Sequence, residues 1–258
     1  MMKRMICFDI DGTLLTSKKK LNPGAVAAIG KLTENPDNIL AIATGRGPYM
    51  FKEIREILKI NNFISYNGQY CMADGKEIYV NSLNPNELKK LVRRASSFHI
   101  PLGFMSIHYT KTNVLGHPFV KESFQTVDHA YPIYENPYGF SEPVLQGQLF
   151  CEEWVQKQLL EKKEYFRFVR WHPYAVDILP PDGSKFEGIL KLAKYHHISM
   201  DQVVAFGDGL NDLEMLQNVG YGICMENGKN SVKKIADFVT TSNDEDGIEK
   251  GLKHLCLI

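Results

Sequence analysis

No long apolar run occurs in this chain. Its hydrophobic stretches stay well below the roughly 20 residues that a membrane-spanning helix needs, so no membrane partner is expected. Charge of one sign is not in excess either: Lys+Arg and Asp+Glu both number 30. That balance argues against a dedicated nucleic-acid binder, which normally carries a basic surplus. The five cysteines, Cys7, Cys71, Cys151, Cys224 and Cys256, are scattered, odd in number and without a C-x-x-C pair. Structural disulfides and a zinc site are therefore not expected, and a reducing cytoplasm fits. Met1-Met2-Lys3-Arg4-Met5 runs into an apolar segment without a signal-peptide pattern, which also reads as cytoplasmic. H-E-x-x-H, internal repeats and low-complexity tracts are missing as well. What remains is 258 residues, 44% hydrophobic and 23% charged, enough for one large globular domain or two modest ones.

The chemistry begins at Ile6-Cys7-Phe8-Asp9-Ile10-Asp11-Gly12-Thr13. Ile6 to Ile10 reads as a buried strand, crowded with β-branched and aromatic residues. Residues i and i+2 of a strand share a side, so Asp9 and Asp11 are expected to face one pocket at its end. Two such carboxylates suit a nucleophile with an acid/base partner, or a metal pair; a strand end with solvated acids has the same pattern. Ile39–Ala43 is a second apolar run, ending in Thr44-Gly45-Arg46. Its hydroxyl and backbone N–H groups could hold phosphate oxygens, although a plain turn reads the same way. Ser184-Lys185 opens a helical stretch with a cation where the dipole disfavours one, so another group could want that charge, although a solvated surface lysine is the default reading. Val203–Phe206 is a third buried run, ending in Gly207-Asp208-Gly209-Leu210-Asn211-Asp212. Asp208 and Asp212 could complete a hard oxygen site of the kind magnesium uses.

Together, in this order, Asp9-Ile10-Asp11-Gly12-Thr13, Thr44-Gly45-Arg46, Lys185 and Gly207-Asp208-Gly209-Leu210-Asn211-Asp212 resemble the haloacid dehalogenase (HAD) superfamily. The long insert between the threonine and lysine motifs resembles its Cof-type, subfamily IIB, phosphatases. The resemblance implies Asp9 as nucleophile, forming an aspartyl-phosphate, and Asp11 as general acid and then base. It implies Ile10, Thr44, Gly45, Lys185 and Asn211 as the phosphate-binding set, with Lys185 also holding Asp9. Mg²⁺ would sit on Asp9, Asp208 and the carbonyl of Asp11, with Asp212 and Arg46 supporting. Asp11 is expected to have a raised pKa from its acidic neighbours, because it must be protonated in the first step. An acid at position 11 favours phosphatases and sugar phosphomutases over dehalogenases and cation pumps.

The alternation of strands and helices predicts an α/β fold, a Rossmann-like parallel-sheet HAD core with an inserted α/β cap domain. We assign 1–81 and 184–258 to the core and 82–183 to the cap, with Pro180-Pro181-Asp182-Gly183 as a hinge. In the core, Asn22-Pro23 starts a helix, a later helix turns Phe51, Ile54, Ile57 and Leu58 inward, and Asn67-Gly68 is a turn after strand 63–66. Lys18-Lys19-Lys20 reads as a solvated run and His196-His197 as a helix end. In the cap, a helix carries Leu88, Leu91, Val92 and Ala95, a loop extends through Gly116-His117-Pro118 to Pro143, and Trp154–Lys163 is a helix. Phe166–His172 and Val176–Leu179 read as a hairpin. His108, His117, Arg170, Trp171 and His172 are the candidate specificity residues. The expected activity is Mg²⁺-dependent hydrolysis of small phosphorylated metabolites, sugar phosphates first, by a monomer or weak homodimer. A sugar phosphomutase and a weakly catalytic phospho-ligand sensor are the alternatives.

Overall fold

In the computed structural model, residues 3–135, 142–160 and 163–258 are described. The chain opens with β1 (Arg4–Phe8), α1 (Pro23–Leu32), β2 (Asn38–Ala43), α2 (Lys52–Leu58), β3 (Asn62–Ser65), β4 (Tyr70–Ala73) and β5 (Lys76–Val80). It continues through α3 (Pro85–Ser97), β6 (Leu102–Met105), β7 (Thr110–Thr112), α4 (Pro118–Thr126), β8 (Ile133–Tyr134), β9 (Gln146–Leu149), α5 (Glu153–Leu159), β10 (Arg167–His172) and β11 (Ala175–Leu179). It closes with α6 (Lys185–His196), β12 (Val203–Gly207), α7 (Leu213–Asn218), β13 (Tyr221–Cys224), α8 (Asn230–Lys233), β14 (Phe238–Val239) and α9 (Gly247–His254).

Two compact units result: Met1–Arg46, Phe51–Tyr79 and Ser184–Ile258 form the first, Gly47–Met50 and Val80–Gly183 the second. The first is built on a sheet in the order β14-β13-β12-β1-β2-β3-β4-β5, parallel from β14 to β3. β4 then turns back antiparallel on β3. The chain runs outward from β1 to β3 on one side and from β12 to β14 on the other. β1 is therefore the switch point, beyond whose carboxyl end such sheets bind ligands. Met5, Cys7, Ala41 and Ala205 bury one face with Ile189, Leu192 and Ala193 of α6 and Met215 and Leu216 of α7. On the other, Phe8 stacks on Phe206 at 5.3 Å and the Phe206 ring lies against Gly251 of α9, beside α1. Helix starts follow local chemistry: Asn22 caps α1 by accepting from Ala25 N–H, with Pro23 in the first turn, and Ser184 caps α6 by accepting from Glu187 N–H.

The second unit is a six-stranded sheet, β10-β11-β9-β6-β7-β8, antiparallel except between β7 and β8. Leu102, Phe104, Leu149, Val176 and Ile178 turn to one face, under Leu88, Leu91, Val92 and Ala95 of α3 and Leu159 of α5. Elsewhere in the unit Val120 and Phe124 of α4 pack on Phe150 and Ala175.

Several expectations change. β1 ends at Phe8, so Asp9 and Asp11 lie beyond the strand and the same-side argument does not apply to them. Ile57 is 48% exposed, because α2 is only seven residues long and buries Leu58 instead. Tyr66 leaves the third strand in a left-handed conformation. The loop expected around Gly116 contains α4, capped by the His117 ring, whose Nδ1 accepts from Phe119 N–H. The rest of that stretch, at 136–141, and positions 161–162 of the expected Trp154–Lys163 helix lie outside the described residues; α5 itself ends at Leu159. His108 is exposed. Arg170 spends its guanidinium on Gln156 and on the carbonyls of Cys151, His172 and Pro173, and His172 Nδ1 meets Ser123 and Tyr174 N–H. Both are internal braces.

Gly68 has φ 102°, and a Cβ there would sit 1.9 Å from the Ser184 carbonyl. Gly68→Ala is expected to destabilise the protein by roughly 2 kcal/mol or more in urea unfolding; a wild-type midpoint would contradict this close approach.

Candidate active site

Four loops at the carboxyl ends of β1, β2, β3 and β12, together with the first turn of α6, make the site. Asp9 follows β1 directly, its N–H donating to Phe206 O at 3.0 Å. Lys185, the first residue of α6, is fully buried; its Nζ donates to Asp9 Oδ1 at 2.5 Å and to Asp212 Oδ1 at 2.6 Å. The charge that the helix dipole disfavours is thus held by two carboxylates. Burial pushes Lys185 toward neutrality, but Asp212 and Asp9 outweigh it and raise its pKa above the ordinary lysine value. Asp212 is fully engaged, since its Oδ2 accepts from the N–H groups of Asp208 and Gly209.

Asp208 follows β12 and accepts from the Thr13 hydroxyl at 3.2 Å. Gly12, at φ 79°, approaches its carboxylate so closely that a Cβ would lie 2.3 Å from Oδ2. Burial, with Asp212 beside it, pushes Asp208 up to about 7. Asp9 is also raised well above the carboxylate range, by burial first and by Asp212 and Asp208, against the pull of Lys185. Carboxylate oxygens of Asp9, Asp208 and Asp212 lie within 4.8 Å of one another. Three acids against one ammonium are short of positive charge, and hard oxygen donors suit a small divalent cation. The donor set fits Mg²⁺; Asp9 and Asp208 would be its side-chain ligands, because Asp212 is already committed.

Asp11 departs from expectation. Arg46 grips it with two parallel bonds, Nε to Oδ2 and Nη2 to Oδ1, both 2.7 Å, and Lys19 Nζ reaches Oδ1 at 3.4 Å. Burial acts to raise its pKa, but Arg46 and Lys19 outweigh burial and hold it below the usual carboxylate value. The expected rise from acidic neighbours is therefore wrong for this resting arrangement, and Lys19 is not simply a member of a solvated run. Arg46, only 8% exposed, lies within this cluster.

Thr44 N–H donates to Ile64 O, and Thr44 Oγ1 accepts from Arg46 N–H at 3.1 Å, so the loop after β2 is wound around its own hydroxyl. The Ile10 side chain is fully buried, while its carbonyl accepts from Thr13 and Leu15; only its main chain can meet a ligand. Asn211 Nδ2 donates to Asn67 Oδ1 at 3.0 Å. The structure thus brings Asp9, Lys185, Asp208 and Asp212 into one cluster, joins Asp11 to Arg46, and sets Asn211 on Asn67. Asn67 was legible only as a turn residue, and the sequence signal for more was the asparagine before Gly68, able to adopt a left-handed backbone.

The family model for haloacid dehalogenase-like hydrolases matches residues 6–252. A Bacillus subtilis (strain 168) protein named Putative phosphatase YkrA is 37% identical over 255 residues, 99% of this chain and 98% of that protein. A crystal structure of a hypothetical protein from Geobacillus kaustophilus HTA426 superposes with TM-score 0.90 at 39% identity, covering 99% of this chain and all of the other. The HAD subclass IIB sugar phosphatase BT4131 superposes with TM-score 0.89 at 26% identity, covering 99% and 100%.

The raised Asp208 has a consequence in metal-free protein. Between its ordinary value of 3.8 and about 7 the folded state binds a proton that the unfolded state releases, so stability falls as pH rises through that window. In chelator, Asp208→Asn is expected to flatten this decline and to raise Tm at pH 8 by a few degrees. A Tm below wild type under those conditions would show that Asp208 is not strained by its acidic neighbours.

Proposed function

Because the chain belongs to the haloacid dehalogenase-like hydrolases, and is a hydrolase of phosphate esters, we propose that it is a Mg²⁺-dependent phosphatase acting on small, hydroxyl-rich phosphorylated metabolites, sugar phosphates first. The observation that carries this reading is the buried Asp9, held by Lys185 beside Asp208. A carboxylate and a phosphate ester repel each other, and attack needs local positive charge. Lys185 supplies part of it and fixes Asp9 in direction. Mg²⁺, when bound by Asp9, Asp208 and the main chain of Asp11, adds the remaining charge neutralisation at the phosphoryl oxygens.

Asp9 attacks phosphorus in line, and the ester oxygen departs with a proton from Asp11, leaving an aspartyl-phosphate. Asp11, then ionised, takes a proton from the water that attacks the phosphorus of this intermediate, and Asp9 is regenerated. The resting carboxylate, paired with Arg46, already has the form needed for this second role. Its acid role requires a proton and a looser hold by Arg46. In this reading Thr44, Gly45 and Asn211 hold the phosphoryl oxygens.

The substrate class is supported by the second unit taken by itself, which we read as the cap. Asp177, Gln148, Gly103 and Thr112 stand in register across β11, β9, β6 and β7, with Gln146, Met105 and Thr110 in the next row. This is the face opposite Leu149, Val176 and Leu102. Gln148 is 3% exposed, donates to Asp177 at 3.4 Å and leaves its Oε1 without a partner among the described residues. A buried, unsatisfied amide oxygen matches a ligand hydroxyl.

Phosphate release from sugar phosphates is expected to need Mg²⁺, to stop in EDTA, and to fall by roughly 10³-fold or more in Asp9→Asn. Undiminished turnover in that variant would rule out Asp9 as nucleophile. Gln148→Leu is expected to raise KM for sugar phosphates about tenfold while sparing p-nitrophenyl phosphate; equal effects on both would remove the hydroxyl-reading role.

A further inference from the structure

Between β3 and β4 the backbone does something costly. Tyr66 and Asn67 both take positive φ, 53° and 51°, and Gly68 follows at 102°. Tyr66 and Asn67 are almost completely buried. Left-handed conformations are unfavourable for residues with a Cβ, and two in succession persist only where the surroundings dictate them. Here the surroundings are two of the motif segments, Thr44–Arg46 and Ser184-Lys185. Tyr66 N–H and the Ser65 hydroxyl donate to the Arg46 carbonyl, at 3.3 and 2.5 Å. Asn67 N–H donates to the Thr44 carbonyl at 3.0 Å. Gly68 lies against the Ser184 carbonyl, one residue before Lys185.

The Asn67 side chain faces the same neighbours. Its Oδ1 accepts from Asn211 Nδ2, and its carboxamide lies so close to Gly45 that a Cβ there would be 3.1 Å from Nδ2. One residue therefore touches Thr44, Gly45 and Asn211. An amide NH₂ carries two hydrogens; with one pinned on Asn67, the Asn211 side chain is fixed in rotation and its other N–H is directed.

We propose that Asn67 is a positioning residue for phosphoryl recognition, acting through Asn211: its left-handed backbone and its Oδ1 together aim the Asn211 amide at the phosphoryl oxygens. This rests on the phosphatase reading above. The strain in the turn is then the means by which a neutral acceptor reaches Asn211. Asparagine suits the position because it tolerates positive φ and supplies a neutral acceptor.

The test is steady-state kinetics with inorganic phosphate as product inhibitor, for wild type, Asn67→Gly, Asn211→Ala and the double variant. Glycine accepts the backbone conformation, so only the side chain is removed. Asn67→Gly is expected to raise both KM and the phosphate inhibition constant about 5- to 20-fold. The double variant is expected to be no worse than Asn211→Ala by more than about twofold. A purely structural role would lower Tm and leave the inhibition constant of the folded enzyme unchanged. A wild-type inhibition constant in Asn67→Gly, or losses that multiply in the double variant, would overturn the proposal. Should Asn67→Gly fail to fold, Asn67→Asp keeps both backbone tolerance and acceptor. In wild type and in that variant the Asn211 side-chain amide NMR signal, assigned by its loss in Asn211→Ala, is expected to shift on addition of inorganic phosphate; a wild-type signal unmoved at saturating phosphate overturns the proposal. A wild-type protein that neither turns over phosphate esters nor binds inorganic phosphate overturns the phosphatase reading as well.

Discussion

Everything in the candidate site depends on one buried ammonium. Lys185 has no exposure to solvent, and its only charge-compensating partners among the described residues are Asp9 and Asp212. Removing one partner of such a buried group leaves an uncompensated charge, at a cost of about 3–5 kcal/mol, so the three residues are bound to one geometry. That geometry ties together β1, which delivers Asp9, the helix α6, which delivers Lys185, and the turn after β12, which delivers Asp212. Asp212 in turn holds the N–H groups of Asp208 and Gly209 and so sets the carboxylate that faces Gly12. One lysine thereby ties the loops after β1 and β12, far apart in sequence, to the start of α6.

The second organising element is uncharged. The turn Ser65–Gly68 binds the Thr44–Arg46 loop through main-chain carbonyls and meets Ser184 by close approach. Arg46, anchored this way, grips Asp11, and Asn67, anchored this way, meets Asn211. The acid group of the proposed mechanism and the proposed phosphate contacts are thus set by the same short segment. The charged network fixes the nucleophile; the neutral one fixes what surrounds it.

The second unit divides its labour by sheet face. One face packs α3 and α5 with aliphatic side chains, the ordinary way of making a core. The other carries Gln146, Gln148 and Asp177 at burial levels usually reserved for apolar residues. Buried polar groups are expensive unless they are satisfied, and Gln148 Oε1 has no partner among the described residues. By contrast Arg170 and His172, whose chemistry drew attention in the sequence, are consumed in holding the β10–β11 turn and α4.

The sequence alone determined the α/β class, the belonging of the four motifs to one family, and the starts of α1 and α6. These follow from local information: alternating strand and helix patterns, Asn22-Pro23 and Ser184 as caps, and motif spacing. It also pointed to a partner for Lys185 beside the default of a solvated lysine, because a lysine in the first helical turn runs against the dipole. What answers was decided only by tertiary structure, since Asp9 lies 176 residues from Lys185 along the chain. The direction of the Asp11 pKa was misjudged for the same reason: counting acidic neighbours in sequence omits a guanidinium that arrives from β2. α4 escaped notice because its start is capped by a histidine ring, not by one of the usual small polar residues. Asn67 was visible as a turn former, but the burial and the contacts that give it a place in the site belong to pairing between distant segments, which no local pattern encodes.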